Sequence, residues 1–398
     1  MGLSQCRAGL TALAIVTVLG ASTPARAAES AMNFDVLEPL TGGGAFLGDT
    51  QKKIIEQAES TINRDGGVHG HPVHFVFHDD QTSPQVAVQL TSEILGNHPA
   101  VVFGSTISGI CNAMTPLMRN GPVHYCFSPS VRPVAGGYEF TAQVASRDQQ
   151  HALMRFFKAE GWTRVALITT TDASGQDAKK AIHALLKEPE FADMTLVEDT
   201  YFNNNDVSIT AQVALIAAAK PQVIVSWATA AAGATVFRAM TQAGLDLPVA
   251  ASGSNMTWGQ MTQYAAFLPK RLYFGVSAWA AHGDPAIDLP PETVTEQKTF
   301  FAVMKAADLH PDASADIGWD TVRIVMYALN HLPSGANAEQ LHAYLEKLQG
   351  YHGIDGTYNF VKVPQRGLDL NNTIVVRWDA ATKDWKPVSK LTGIPLGK

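Results

Sequence analysis

Between Ala100 and Ser130 two short apolar runs each end in a turn of hydroxyl residues, with one helix-length segment between them. The first run, Ala100 to Phe103, reaches Gly104 and then Ser105, Thr106, Ile107, Ser108 and Gly109. An amphipathic stretch follows to about Arg119 and stops at Asn120-Gly121-Pro122. The second run, Val123 to Phe127, ends in Ser128-Pro129-Ser130. Strand, hydroxyl loop, helix, strand, hydroxyl loop reads as one right-handed βαβ unit. Such a unit puts both loops on the carboxyl edge of a parallel sheet, where open α/β sheets bind ligands. Free amides at a helix start, with serine hydroxyls beside them, suit a carboxylate or a phosphate. Ser, Thr and Gly before a helix are also ordinary capping residues, so this stretch alone leaves both roles open.

The rest of the chain repeats the theme. A strand over Phe34 to Leu37 leads into Glu38-Pro39-Leu40-Thr41-Gly42-Gly43-Gly44, then a helix with Ile54, Ile55, Ala58 and Ile62 at helical spacing. No Gly-Lys-Ser/Thr follows the glycines, which excludes a P-loop. Val73, Phe75 and Phe77 alternate as a half-buried strand, and Ser83-Pro84 opens a helix. From about His151 a second βα series begins. Its strands over 164–169, 195–201, 223–227 and 248–251 end in small or polar turns, among them Thr170 to Asp177 and Ser252 to Met256. A strand over 272–278, helices over 292–307, 315–329 and 338–348, and strands over 358–361 and 373–378 complete the reading. The pattern predicts two α/β lobes with their loop edges facing each other.

A chain of 398 residues suits two or three domains. A formal charge of −7 without any Lys/Arg run argues against a nucleic-acid partner. Arg7, the apolar run Ala8 to Gly20 and the small residues of Ala25-Arg26-Ala27 read as a secretory signal peptide over 1–27, with the mature chain in the periplasm. Export leaves Cys111 and Cys126 in an oxidising compartment near one sheet edge, where a disulfide and two buried thiols are both open. His69, His71, His74 and His78 do not make a metal site, since four strand residues separate His74 from His78 by roughly 13 Å. Neither Gly-x-Ser-x-Gly nor His-Glu-x-x-His nor Cys-x-x-Cys occurs, so no enzyme, metal or cofactor is expected.

Taken in order, a set of short motifs resembles the periplasmic substrate-binding proteins of the leucine/isoleucine/valine-binding type, components of ABC importers. The set runs Leu40-Thr41-Gly42 with Leu47-Gly48-Asp49, Ile62-Asn63 with Gly66 to Gly70, and His78-Asp79-Asp80 with Pro84. It continues through Phe103-Gly104 with Ser108, Ser128-Pro129-Ser130, the Thr170 to Asp177 loop, Arg238 to Leu245 and Trp319 to Leu329. The resemblance implies a type I periplasmic-binding fold: two doubly wound parallel-sheet lobes joined by a three-crossing hinge. It puts 29–149 and 276–353 in the first lobe and 150–275 and 354–398 in the second. It implies a monomer that closes on a small molecule and is recognised by a membrane permease.

Carried over by position, Ser108 matches the serine that holds the ligand carboxylate. Ser130, Val131 and Arg132 match the loop that completes that grip. Leu47, with Phe46 beside it, matches the position covering the ligand. Ser174, and Thr229 or Ala230, stand where the amino-acid binders use tyrosines, and Asn255 with Ser254 where they place a glutamate for the ammonium group. That acid is missing from Ser252 to Trp258, whereas a buried ammonium needs an anionic partner. Arg132, in place of a neutral hydroxyl residue, has the geometry to clamp a carboxylate. An aromatic or 2-oxo acid is therefore the expected ligand. A branched-chain or other amino acid stays open, with Asp148 or Asp172 as its counter-ion, as does a receptor rather than a transporter as partner.

Overall fold

The computed structural model describes residues 1–2 and 30–397; the signal-peptide segment lies outside the described residues. The chain opens with β1 (Met32–Glu38), α1 (Ala45–Arg64), β2 (Val73–Asp79), α2 (Pro84–Leu95), β3 (Val101–Gly104), α3 (Ser108–Met114), β4 (Val123–Tyr125) and β5 (Glu139–Phe140). These five strands form one parallel sheet in the order β2-β1-β3-β4-β5. The Val-Val-Phe-Gly of β3 is buried along its whole length, as a central strand covered on both faces requires. Phe34, Phe75, Phe103, Tyr125, Phe127 and Phe140 form a continuous run of ring contacts on one face.

The chain then crosses to a second layer through α4 (Ser146–Ala159) and continues with β6 (Arg164–Thr170), α5 (Ala173–Leu185), β7 (Thr195–Phe202), α6 (Thr210–Ala219) and β8 (Val223–Trp227). It goes on through α7 (Ala232–Gln242), β9 (Val249–Ala251), α8 (Trp258–Gln263) and β10 (Leu272–Ser277). Helices α9 (Pro291–Ala306), α10 (Ala315–His331) and α11 (Ala338–Leu345) follow, and α10 packs on α1 of the first layer. A hairpin of β11 (Gln349–Gly353) and β12 (Gly356–Asn359) leads to β13 (Thr373–Asp379) and β14 (Asp384–Pro387), which return to the second layer. The second sheet is ordered β14-β13-β10-β9-β8-β6-β7. It is parallel from β7 to β10 and antiparallel at β13 and β14.

Both sheets reverse their winding direction, between β1 and β3 in the first and between β6 and β8 in the second. Crevices of this kind, at the carboxyl ends of strands, are where such sheets bind ligands. Elements with little local signal escape sequence reading: β5 is two residues long, α8 is six, and β14 carries two charges and a proline. The helix after Ser108 is also shorter than its periodicity predicts. It yields at Thr115 to a 3₁₀ turn over Thr115–Met118, because Pro116 has no amide to continue the α-helical bonding.

Candidate functional site

The turn after β3 is held from several sides. Gly104 has φ +97°, and a Cβ there would stand 1.9 Å from the Leu37 carbonyl, so only glycine lets β3 leave the sheet here. His124 is buried and neutral, its pKa lowered by burial to about 4, and its Nε2 contacts the Gly104 carbonyl at 2.5 Å. Ser105 donates to Asp80 Oδ2 at 2.6 Å, and its carbonyl accepts from Phe127 N–H at 3.1 Å. This fixes the following Ser108 at the first position of α3. Ser108 is 4% exposed, and its hydroxyl makes no hydrogen bond among the described residues. Cys111 and Cys126 are joined in a disulfide with Cα atoms 6.1 Å apart, tying α3 to the segment after β4.

The turn after β4 supplies Ser128, Pro129 and Ser130. Ser130 N–H donates to Ser128 Oγ at 3.3 Å, and Ser130 Oγ lies 3.3 Å from Ser174 Oγ of the other layer. Ser174 sits in the first turn of α5, where Asp172 caps Gly175 N–H at 2.8 Å. Gly175 has to be small, since a Cβ would meet the Thr170 carbonyl at 1.9 Å. Thr229 follows β8, and Ser252, Gly253 and Ser254 follow β9.

These loops enclose a cavity of ≈ 40 Å³ between the two sheets. At about 10–15 Å³ for each water, that is room for roughly three. Leu47, Ser108, Ser130, Ser174 and Thr229 line it, joined by Ser128, Gln143, Gln149 and the Ser252–Ser254 turn. No charged side chain is among its lining residues. The Gln149 Oε1 and Thr229 Oγ1 atoms are buried there with no hydrogen-bond partner. Through Ile107, Ser108, Ser174 and Thr229 the cavity is continuous with a wider groove of ≈ 460 Å³ that carries Gln81, Asp172, Asn204 and Asn205. The Asp172 carboxylate in that groove is occupied by Gly175 N–H, Thr170 and Asn204.

Other residues singled out from sequence stand elsewhere. Arg132 is 60% exposed and bound through Nε to Asp177 at 2.5 Å, away from the cavity lining. Val131 is buried against the disulfide. Asn255 is fully buried, its Nδ2 donating to the Ala230 carbonyl at 2.6 Å. Ala230 lines the outer groove only. Phe46 turns away from the cavity and meets Tyr264 of the second layer edge-on, ring centroids 6.1 Å apart. Three of the four N-terminal histidines are separately engaged: His78 contacts Asp35 at 2.8 Å, His74 contacts Glu59 at 3.3 Å, and His69 contacts the Leu329 carbonyl at 2.9 Å.

Sequence reading missed Gln143, Gln149 and Arg366. Arg366 lies in the loop after β12 and is 7% exposed, its pKa lowered by burial to about 10 and its charge therefore retained at neutral pH. No periodicity or motif marks any of the three; their places are set by tertiary packing.

Residues 35–383 match the family described as periplasmic binding protein. Among curated proteins, Leu/Ile/Val-binding protein homolog 3 of Brucella melitensis is 26% identical over 241 residues, 59% of this chain and 64% of that protein. Among solved structures, an extracellular ligand-binding receptor from Rhodopseudomonas palustris superposes with a TM-score of 0.78 at 17% identity, covering 91% of this chain and 100% of that one. The branched-chain amino acid transporter substrate-binding protein LivJ from Streptococcus pneumoniae, described in complex with isoleucine, gives a TM-score of 0.74 at 16% identity, covering 90% of this chain and 99% of that one. The fold they share is the type I periplasmic-binding fold.

Proposed function

Because the chain belongs to the periplasmic binding protein family, we propose that it is an exported solute-binding protein that captures a small carboxylate between its two lobes and delivers it to an ABC importer. The lobes are 29–149 with 276–353 and 150–275 with the C-terminal end, closing by hinge motion. The observation that carries the ligand class is the lining of the cavity: hydroxyls from both layers at helix starts, and no charged side chain. Serine hydroxyls and first-turn amides suit a carboxylate. An α-ammonium group buried in the same cavity has no anion to meet it, because the nearest carboxylate in the groove, Asp172, already has three partners. This disfavours the amino-acid reading. The small volume favours a short 2-oxo acid over an aromatic one.

The test is a thermal-shift screen of the mature protein. One panel holds pyruvate, 4-methyl-2-oxopentanoate, phenylpyruvate and benzoate; the other holds leucine, isoleucine, valine and alanine. A ligand at a hundred times its dissociation constant stabilises the fold by about 2.7 kcal/mol. Shifts with the acids alone are expected. Ser108→Ala is expected to weaken binding by roughly 1–3 kcal/mol, the loss of a hydrogen bond to a charged acceptor. Shifts with the amino acids alone would reject the carboxylate reading.

A further inference from the structure

Arg366 reaches from the loop after β12 to the back of the cavity wall. Its Nη1 donates to the Gln143 carbonyl at 2.5 Å, and its Nη2 to the carbonyls of Val131 at 2.8 Å and Pro129 at 3.5 Å. Pro129 and Gln143 line the cavity on its other side. All three acceptors are neutral, and no carboxylate among the described residues forms an ion pair with the guanidinium.

A buried charge is unfavourable until an opposite charge answers it. Asp148, Asp177 and Glu139 act on Arg366, Asp148 foremost, and Asp148 in turn feels Arg366 more than it feels Arg147. None of the three forms a direct ion pair with it among the described residues, and Asp177 and Glu139 have hydrogen-bond partners of their own. Asp177 is held by Arg132 and Ser146, both at 2.5 Å. Glu139 accepts from Thr115 at 2.7 Å, and Asp148 lies 4.0 Å from Arg147. The cavity itself offers no charge of either sign. Its electrostatic character is therefore set from behind its wall.

We propose that Arg366 is the positioning residue that makes this cavity prefer an anion, acting on the ligand carboxylate through the peptide groups of the Pro129–Val131 turn and Gln143 without touching the ligand. A hydrogen-bonded route exists. The Pro129 carbonyl that Arg366 holds shares a peptide group with Ser130 N–H, which donates to Ser128 Oγ. Ser128 lines the cavity, and its hydroxyl proton has no acceptor among the described residues. Bonds in such a chain polarise one another, so a cation at one end strengthens the donor at the other.

The assignment rests on the small-carboxylate reading, and its test is read as a ratio. Affinities of pyruvate and phenylpyruvate, and of the uncharged primary amide of each, are measured by calorimetry on the mature chain. Arg366→Gln is expected to weaken the acids about tenfold and the amides less than about twofold. Arg366→Lys, which keeps the charge, is expected to keep the acid-to-amide ratio. Should Arg366→Gln fail to fold, Asp148→Asn removes an opposing charge and is expected to raise the ratio. Equal losses for acid and amide in Arg366→Gln, or an unchanged ratio in Asp148→Asn, would overturn the assignment. If no acid of the thermal-shift panel binds the unsubstituted protein, the carboxylate reading itself fails and takes the assignment with it, an outcome visible before any variant is made.

Discussion

Burial lifts the Asp80 carboxyl from its ordinary 3.8 to about 6, against the hydrogen bonds from Ser105 and Thr82 that pull it down. Glu38, fully buried with both oxygens unpartnered, is raised by burial and by Asp80. A carboxyl raised in the fold binds its proton more tightly there than in the unfolded chain. Its stabilising contribution is complete below pH 3.8 and is lost as pH rises through about 6. For Asp80 this amounts to at most about 3 kcal/mol. Chemical denaturation of the wild type and of Asp80→Asn should therefore differ in slope between pH 4 and 6 (about the window set by the two pKa values), the variant being flatter. Parallel profiles would mean that Asp80 stays charged. The same scale shows why Arg132 misleads in sequence: a basic residue in a candidate loop looks free, but its partner Asp177 is 45 residues away. Ser108 is legible because a hydroxyl after an apolar strand and before a helix has one edge to occupy.

At the scale of elements, the Ala100–Ser130 unit is legible because each part carries its own signal. An apolar run makes a buried strand, Gly104 the exit, and Pro122 the second entry. Segments without a private signal, such as β5, α8 and β14, form because a neighbour presents an open edge or face, and their residues alone say little. The disulfide binds the two halves of the unit that wall the cavity. It closes a loop with a sequence separation of 15, which in the chain-entropy picture is worth about 3 kcal/mol. Cys111→Ser/Cys126→Ser should lower the unfolding free energy by about that amount, and it should weaken acid binding by freeing Ser108 from Ser128. Wild-type affinity in the double variant would show that Ser105 and Asp80 alone hold the wall.

Over the whole molecule, the contacts that span the cleft include Ser130 with Ser174, Arg132 with Asp177, and Phe46 with Tyr264. Phe46 fits because Gly259 opposes it; a Cβ there would lie 2.7 Å from the ring. An edge-on ring pair of this kind is worth about 0.5–1.5 kcal/mol beyond its area. Affinity scales with the fraction of molecules able to close. Phe46→Ala is therefore expected to weaken every ligand by one common factor of about 2 to 12, the acid-to-amide ratio staying fixed. Solution scattering should show the unliganded variant more extended. Unequal losses would instead place Phe46 against the ligand. The borders of the two sheets have a different consequence. One border of the first sheet is the two-residue β5, its other border being the longer β2, and the second sheet ends at β7, with Glu198 and Asp199, and at β14, with Asp384, Lys386 and Pro387. A two-residue border or a charged, proline-tipped one is a poor template for strand addition. At such borders the chain is guarded against polymerising edge to edge, even where many copies crowd one compartment.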